Sequence, residues 1–196
     1  ESRPERHPEV LRVETCPDPA PPSRGEVLIE VRAAGVNHLD IWCRREVPGI
    51  SLPRIPGADA AGVIRAIGPG VTAFALGDKV LIDPGTSCGV CPACARGEAS
   101  LCPSYGILGE SCDGTYCELL TLPASSCHPL PQGWSFAEGA AFPLVATTAW
   151  SMCVGRGQLK AGETVLILGA AAGVGVLCIQ IAKMIGCTVI ATASSA

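Results

Sequence analysis

Apolar positions along the chain fall into two regimes. From residue 9 to about 83 they form short runs separated by Gly and Pro. Residues 10–14 are short and alternating, and 18–23 are a Pro-rich connector. Residues 27–36 (VLIEVRAAGV) open on an apolar run broken by Glu30 and Arg32, as a half-buried strand does. Residues 61–68 (AGVIRAIG) close in the turn Gly68-Pro69-Gly70, and 78–83 (DKVLID) follow a Gly-Asp turn. Several short strands at close spacing predict an antiparallel barrel or sandwich.

Residues 84–103 have no apolar period; they hold three Pro, three Gly and four Cys, an irregular lobe without a core of its own. A strand resumes over 116–122. At Ser135 the pattern changes. Ser135 with Glu138 three residues on is a capping box, and an Ala-rich helical stretch runs to about 154 with an interruption at Pro143. From 164 the pattern reads strand (TVLILG), glycine turn, helix to Ile185, Gly186 as cap, strand (CTVIATA). The helix carries its apolar stripe on Val174, Leu177, Cys178, Ile181 and Ile185. This is one βαβ unit with an expected right-handed crossover. The expected organisation is therefore mixed β and α/β, with one domain over 1–150 and the start of a second over 151–196.

Residues 164–182 carry no charge and are long enough to suggest a membrane span. Gly169, Gly173 and Gly175 split them into a β-branched half and an amphipathic half, which a buried strand, turn and packed helix explain better.

Composition narrows the class. The 196 residues are 48% hydrophobic and 16% charged with a net charge of −4, enough to bury a core and without the basic footprint of a nucleic-acid binder. Twelve cysteines could mean a secreted disulfide scaffold, but the first nine residues are charged and Pro-rich with no apolar signal segment. The expected setting is a reducing, cytoplasmic one with a single metal cluster, no membrane and no nucleic-acid partner.

Cys88, Cys91, Cys94 and Cys102 are spaced C-x2-C-x2-C-x7-C. Four thiolates on a short irregular loop suit a tetrahedral, structural zinc ion, one per chain. An iron–sulfur cluster and four unligated thiols are the alternatives. Cys112 and Cys117 could form a redox pair, but nothing basic flanks them. The turn Gly169-Ala170-Ala171-Ala172-Gly173-Val174-Gly175 lies between a strand and a helix, where a dinucleotide fingerprint belongs, although its G-x3-G-x-G spacing is a variant. Gly169 would turn off the strand, Gly173 would admit a pyrophosphate at the helix N-terminus, and Gly175 would let helix and strand pack closely. A ligand-free glycine turn is the alternative. Residues 192–196 (TASSA) carry no acid for ribose hydroxyls; small hydroxyl residues such as Ser194 leave room for a 2′-phosphate, so NADPH is expected over NADH.

These motifs in this order resemble the medium-chain dehydrogenase/reductase superfamily, the zinc-type alcohol dehydrogenases and quinone oxidoreductases. The likeness rests on AGVNHLDIW (34–42), PGADAAGVIRAIGPGV (56–71), GDKVLIDPG (77–85), the cysteine lobe, GTYCELL (114–120), SFAEGAAFPLVATTAW (135–150) and the βαβ unit. It implies a GroES-like β-barrel catalytic domain followed by a Rossmann domain, with substrate in the cleft between. It implies a small-molecule substrate and a homo-oligomer for the full-length parent. Two strands are few for a six-strand dinucleotide fold and residue 1 is not Met, so the chain reads as an N-terminal part, expected to be inactive alone.

The departures from that family bear on chemistry. Members with a catalytic zinc carry Cys, His, and Cys or Asp where this chain has Asn37, Ala58 and Leu144. An amide, a methyl and an isobutyl group cannot hold zinc, and Asp59 alone could not compensate. The resemblance thus implies structural zinc without catalytic zinc. Asn37 is the expected catalytic group, its amide N–H polarising a substrate carbonyl; a turn residue bonding its own backbone is the alternative. Asp59, at the family's Glu position, is the second catalytic candidate. Asp40 is expected to fix the loop and not to do chemistry. His38 stands where members place a basic residue facing the pyrophosphate, and Thr148 where a residue packs on the nicotinamide. A surface histidine and a buried helix threonine are the alternatives. With Gly169, Gly173, Val174, Gly175 and Ser194 these make the expected cofactor set. The expected function is NAD(P)-dependent hydride transfer to a carbonyl, quinone or enone. A zinc-dependent alcohol dehydrogenase and a non-catalytic zinc-stabilised binding module remain alternatives.

Overall fold

A computed structural model describes residues 8–45 and 49–194. Elements follow in chain order: β1 (Glu26–Ala34), α1 (His38–Arg45), β2 (Ala60–Ile67), β3 (Lys79–Ile82), β4 (Gly85–Thr86), α2 (Pro92–Ala95), β5 (Gly106–Ile107), β6 (Leu119–Pro123), β7 (Cys127–Pro129), α3 (Phe136–Ala140), α4 (Pro143–Trp150), β8 (Thr164–Ile167), α5 (Gly173–Ile185) and β9 (Thr188–Ala191). A π-helical turn over Ser151–Arg156 extends α4. The chain divides between Ala141 and Phe142 into two compact units.

In the first unit β6, β1, β2, β3 and β7 form one antiparallel sheet in that order. Alternation does the work read from the sequence: Val27 and Ile29 are fully buried while Glu26, Leu28 and Glu30 are only half-buried. Val27, Ile29, Ile64, Val80, Ile82, Leu108 and Leu122 form the core. α3 packs on β1, β2 and β3. Its capping box forms as expected: Glu138 N–H donates to Ser135 Oγ, and Ser135 N–H donates to Glu138 Oε2.

Three expectations need correcting. The alternation over 10–14 makes no strand: after a 3-10 turn at Pro8–Val10 the chain runs irregularly, with Val10, Leu11 and Val13 exposed. No strand of the sheet reaches it, so its pattern has no face to bury. The strand expected from 116 begins at Leu119, because Gly114, Thr115 and Tyr116 donate their N–H groups to Ile55, Gly57 and Pro56 instead. α1 was not expected within a β region. Its signal lies in two residues already singled out: Asn37 N–H donates to Asp40 Oδ2 at 2.7 Å, half of a capping box three residues apart.

The second unit holds the βαβ unit. β8 and β9 pair in parallel from Thr164↔Thr188 to Ile167↔Ala191. α5 starts at Gly173, within the glycine turn, and closes as expected on Gly186 in the left-handed conformation. α4 packs on α5, and Ala149 is buried with Cys153, Ile167, Ala170 and Cys178. That shared core is why α4 falls in the second unit. Leu166 and Ile190 on the strand pair, and Leu168 just after β8, are exposed. No described helix is long and apolar enough to cross a membrane.

Candidate functional site

The cysteine lobe closes on its four sulfurs. Cys91 caps α2 by accepting from Cys94 N–H, and Pro92 at the first helical position tightens the turn. The Sγ atoms lie 3.5 Å apart for Cys91–Cys94, 3.5 Å for Cys88–Cys102 and 4.0 Å for Cys88–Cys94, and all four fall within 4.8 Å of one another. A tetrahedral ion with 2.3 Å bonds to sulfur requires edges of about 3.8 Å. Backbone N–H groups of Cys88, Cys91, Cys94 and Ser104 aim at these sulfurs at 3.4–3.5 Å. The Val90 N–H, then that of Cys91, brings the Cys88 thiol down to about 6. Cys94 is lowered too, first by the Ser87 hydroxyl. At Cys91 the Cys94 N–H favours the thiolate, but burial and the neighbouring sulfurs prevail and push the thiol up to about 11. Four thiolates cannot share this space without a cation, so donor type and spacing fit one metal ion. Among the described residues this is the one group of three or more Cys, His, Asp or Glu side chains placed to share an ion.

Cys112 and Cys117 lack the environment that activates a thiol. Burial raises both, Cys117 to about 11.

Asn37 sits where β1 gives way to α1. Its amide bonds to another element, not to its own backbone: Nδ2 donates to Asp59 Oδ2 at 2.9 Å. Asp59 is 1% exposed, just ahead of β2, and its backbone carbonyl accepts from the buried Thr115 hydroxyl at 2.8 Å. Asp40 fixes the loop. Its Oδ2 accepts from Asn37 N–H and from the Tyr116 hydroxyl at 2.8 Å. Burial, then the bond to Asp40, raises the Tyr116 phenol, which keeps it a donor. Ala58 is fully buried between Gly57 and Asp59. His38 is exposed, its ring edge-on to Trp42 at 5.1 Å. The structure therefore joins Asn37 to Asp59 and adds two members: Asp40 and Tyr116, the latter absent from the sequence reading. No local signal marks Tyr116, whose partner lies 76 residues away.

In the second unit, Gly169 leaves β8 at φ 64°. A Cβ on Gly175 would stand 2.5 Å from Gly169 O, so only glycine lets the helix start this close to the turn. The first N–H groups of α5, on Gly173, Val174 and Gly175, have no partner within a helix, and no side chain caps them. Val174 packs its side chain on the core, so its backbone N–H is what it offers a ligand. Ala170 N–H donates to Thr192 O and Thr192 N–H to Ile167 O, which brings the end of β9 beside the glycine turn. Ser194 is exposed beyond it; Ser195 and Ala196 lie outside the described residues. Thr148 is exposed on α4 and donates to Leu144 O at 2.8 Å, so it is not a buried threonine. A glycine cradle at an uncapped helix N-terminus fits a phosphate-bearing ligand.

The alcohol dehydrogenase GroES-like domain matches residues 23–132. The chain belongs to that family, within the medium-chain dehydrogenase/reductase superfamily. The matched GroES-like domain lies within the first unit, and the βαβ unit of the second is consistent with the start of a Rossmann fold. Acryloyl-coenzyme A reductase of Metallosphaera sedula is 33% identical over 190 residues, 96% of this chain and 57% of the relative. Quinone oxidoreductase of Rattus norvegicus is 33% identical over 190 residues, 96% of this chain and 50% of the relative. A solved NAD-dependent alcohol dehydrogenase superposes with a TM-score of 0.93 at 48% identity, over 98% of this chain and 57% of that one. The chain spans about half the length of these two curated relatives.

Proposed function

We propose that this polypeptide serves an NAD(P)-dependent oxidoreductase that reduces an activated carbonyl compound, a quinone or an enone, without a catalytic zinc. The observation that carries the reading is Asn37, held through its amide by buried Asp59, where zinc-type members place a ligand. Ala58 and Leu144 stand at the other two ligand positions of the resemblance and offer only carbon. The nicotinamide, when bound, supplies the hydride. The chain's residues bind and orient. The N–H groups of Gly173, Val174 and Gly175 hold the pyrophosphate at the positive end of α5. Gly169 and Gly175 shape the cradle; by the family resemblance alone, His38 and Thr148 also belong to the cofactor set. Asn37 has a second Nδ2–H beyond the one given to Asp59, and it donates to the substrate oxygen as negative charge develops there. Cys88, Cys91, Cys94 and Cys102 hold one structural zinc ion; with every position filled by protein, that ion braces the lobe and leaves no place for substrate.

The similarity to an acryloyl-coenzyme A reductase and a quinone oxidoreductase supports conjugated acceptors. The absence of an acid in Thr192-Ala193-Ser194 supports NADPH. One observation favours a second reading, NAD-dependent alcohol oxidation: the 48% identity to an NAD-dependent alcohol dehydrogenase. Titration of the full gene product with NADPH and NADH separates the cofactors; a screen of quinones, enones and primary alcohols then separates the reactions. We expect NADPH to bind about tenfold or more tightly than NADH, the ~1.4 kcal/mol of one or two contacts to a 2′-phosphate, and quinone or enone reduction to dominate. Alcohol oxidation that rises on adding zinc would overturn the reading. Failure to bind either dinucleotide would favour a non-catalytic module.

A further inference from the structure

Asn37 is tethered at two ends by two different carboxylates. Its backbone N–H donates to Asp40 Oδ2 at 2.7 Å, and its side-chain amide donates to Asp59 Oδ2 at 2.9 Å. Both residues are held from a distant part of the chain, Asp59 at its backbone and Asp40 at its carboxylate. Thr115 Oγ1 donates to the Asp59 carbonyl, and Tyr116 Oη donates to Asp40 Oδ2 with Gly35 O 3.3 Å away. Tyr116 packs its ring over Gly57, so closely that a Cβ there would overlap it. Segment 114–116 is in turn stitched by backbone N–H groups to 55–57. One segment, 114–116, thus touches both residues that hold Asn37.

An amide has two chemically different ends, a donor NH2 and an acceptor oxygen. A carboxylate accepts, so it takes the NH2 and disfavours the flipped amide, whose oxygen would face it. We propose that Asp59 and the Tyr116–Asp40 pair are positioning residues that fix the orientation of the Asn37 amide, Asp59 by choosing its flip and Tyr116–Asp40 by anchoring its backbone. The inference rests on the reading of Asn37 as the carbonyl-polarising group. It moves Asp59 from a catalytic role to one exercised through Asn37.

The test is a functional double-mutant cycle in the full gene product, using NADPH and the best acceptor of the screen above. Asp59→Asn keeps the shape but offers either end of an amide, so the flip is no longer chosen. It should lower kcat about tenfold with the KM for NADPH unchanged, and cost nothing further in an Asn37→Ala background. Tyr116→Phe keeps the ring on Gly57 and removes the donor to Asp40; it should cost about threefold in the parent and nothing in Asn37→Ala. This milder variant serves if Asp59→Asn lowers the melting temperature. The Asn37 side-chain amide resonance, assigned by its loss in Asn37→Ala, should lose its hydrogen-bonded proton shift in Asp59→Asn. Equal losses in both backgrounds would show that Asp59 acts directly and overturn the inference while leaving Asn37's role standing. No loss in the parent background would overturn it as well. A fully active Asn37→Ala would instead overturn the carbonyl-polarising reading itself.

Discussion

Cys102→Ser should strip the metal from the lobe over residues 84–103 and open it to proteases while the β core survives. Little else holds this lobe: in it only Pro84, Ala93 and Cys102 are buried. Cys102 Sγ accepts from both Cys88 N–H and Ser104 N–H, so it joins the two ends of the lobe. Structural zinc sites contribute about 10–16 kcal/mol to small folds at neutral pH. No apolar contact in the lobe can replace that. The five-stranded sheet closes on its own residues, with Val27, Ile29, Ile64, Val80 and Ile82 at 0–1% exposure, and needs no metal. Limited proteolysis read by mass spectrometry should place the first cuts within 84–103, both in Cys102→Ser and in the chelated parent. Cuts beginning elsewhere, or a chelated lobe as resistant as the native one, would contradict this.

Gly173→Asp should weaken dinucleotide binding by the full gene product about 100-fold or more, the ~2.7 kcal/mol lost when a negative charge meets a pyrophosphate at a helix start. The expected loss follows from the geometry of the turn. The first N–H groups of α5 have no cap, and an aspartate side chain there can accept from them itself, occupying the place a phosphate would take. The fold should tolerate the change. A Cβ at Gly173 would meet only the Val145 side chain, at 3.2 Å, and a methyl group can shift by tenths of an ångström. Gly173→Ala makes the same contact without the charge and should cost far less affinity. Calorimetric titration with NADPH checks both. Equal losses for the two variants would assign the effect to packing and not to phosphate.

How far the sequence carried the account depended on how local each signal was. The four cysteines lie within 15 positions, the glycine turn within seven, and the Ser135–Glu138 box within four, and each folds as its spacing implies. A short motif brings its own partners, so its geometry is nearly decided by the chain around it. The Asn37 network was legible only in part. Asn37, Asp40 and Asp59 stood out by type and place, but Tyr116 joins them across 76 residues, through a loop whose course no periodicity encodes. The strand expected over 10–14 went the other way. Its alternation is as clean as that of β1, but β1 finds β2 and β6 on either side, while Val13 lies fully exposed. Alternation says which residues could share a face; a neighbouring strand decides whether that face exists. α1 was hidden because the capping pair Asn37–Asp40 directly follows the stretch read as a strand, in a region of short strands.

The proposed function calls for one zinc ion per chain, bound by four cysteines, and no second ion for hydride transfer. The most direct measurement is elemental analysis of the purified full gene product, on the same sample that turns over NADPH with its acceptor. The account predicts about one zinc per chain, lost on Cys102→Ser and retained in Asn37→Ala. Two zinc ions per chain in the active protein, with one of them lost on substitution near Asn37 or Asp59, would contradict it.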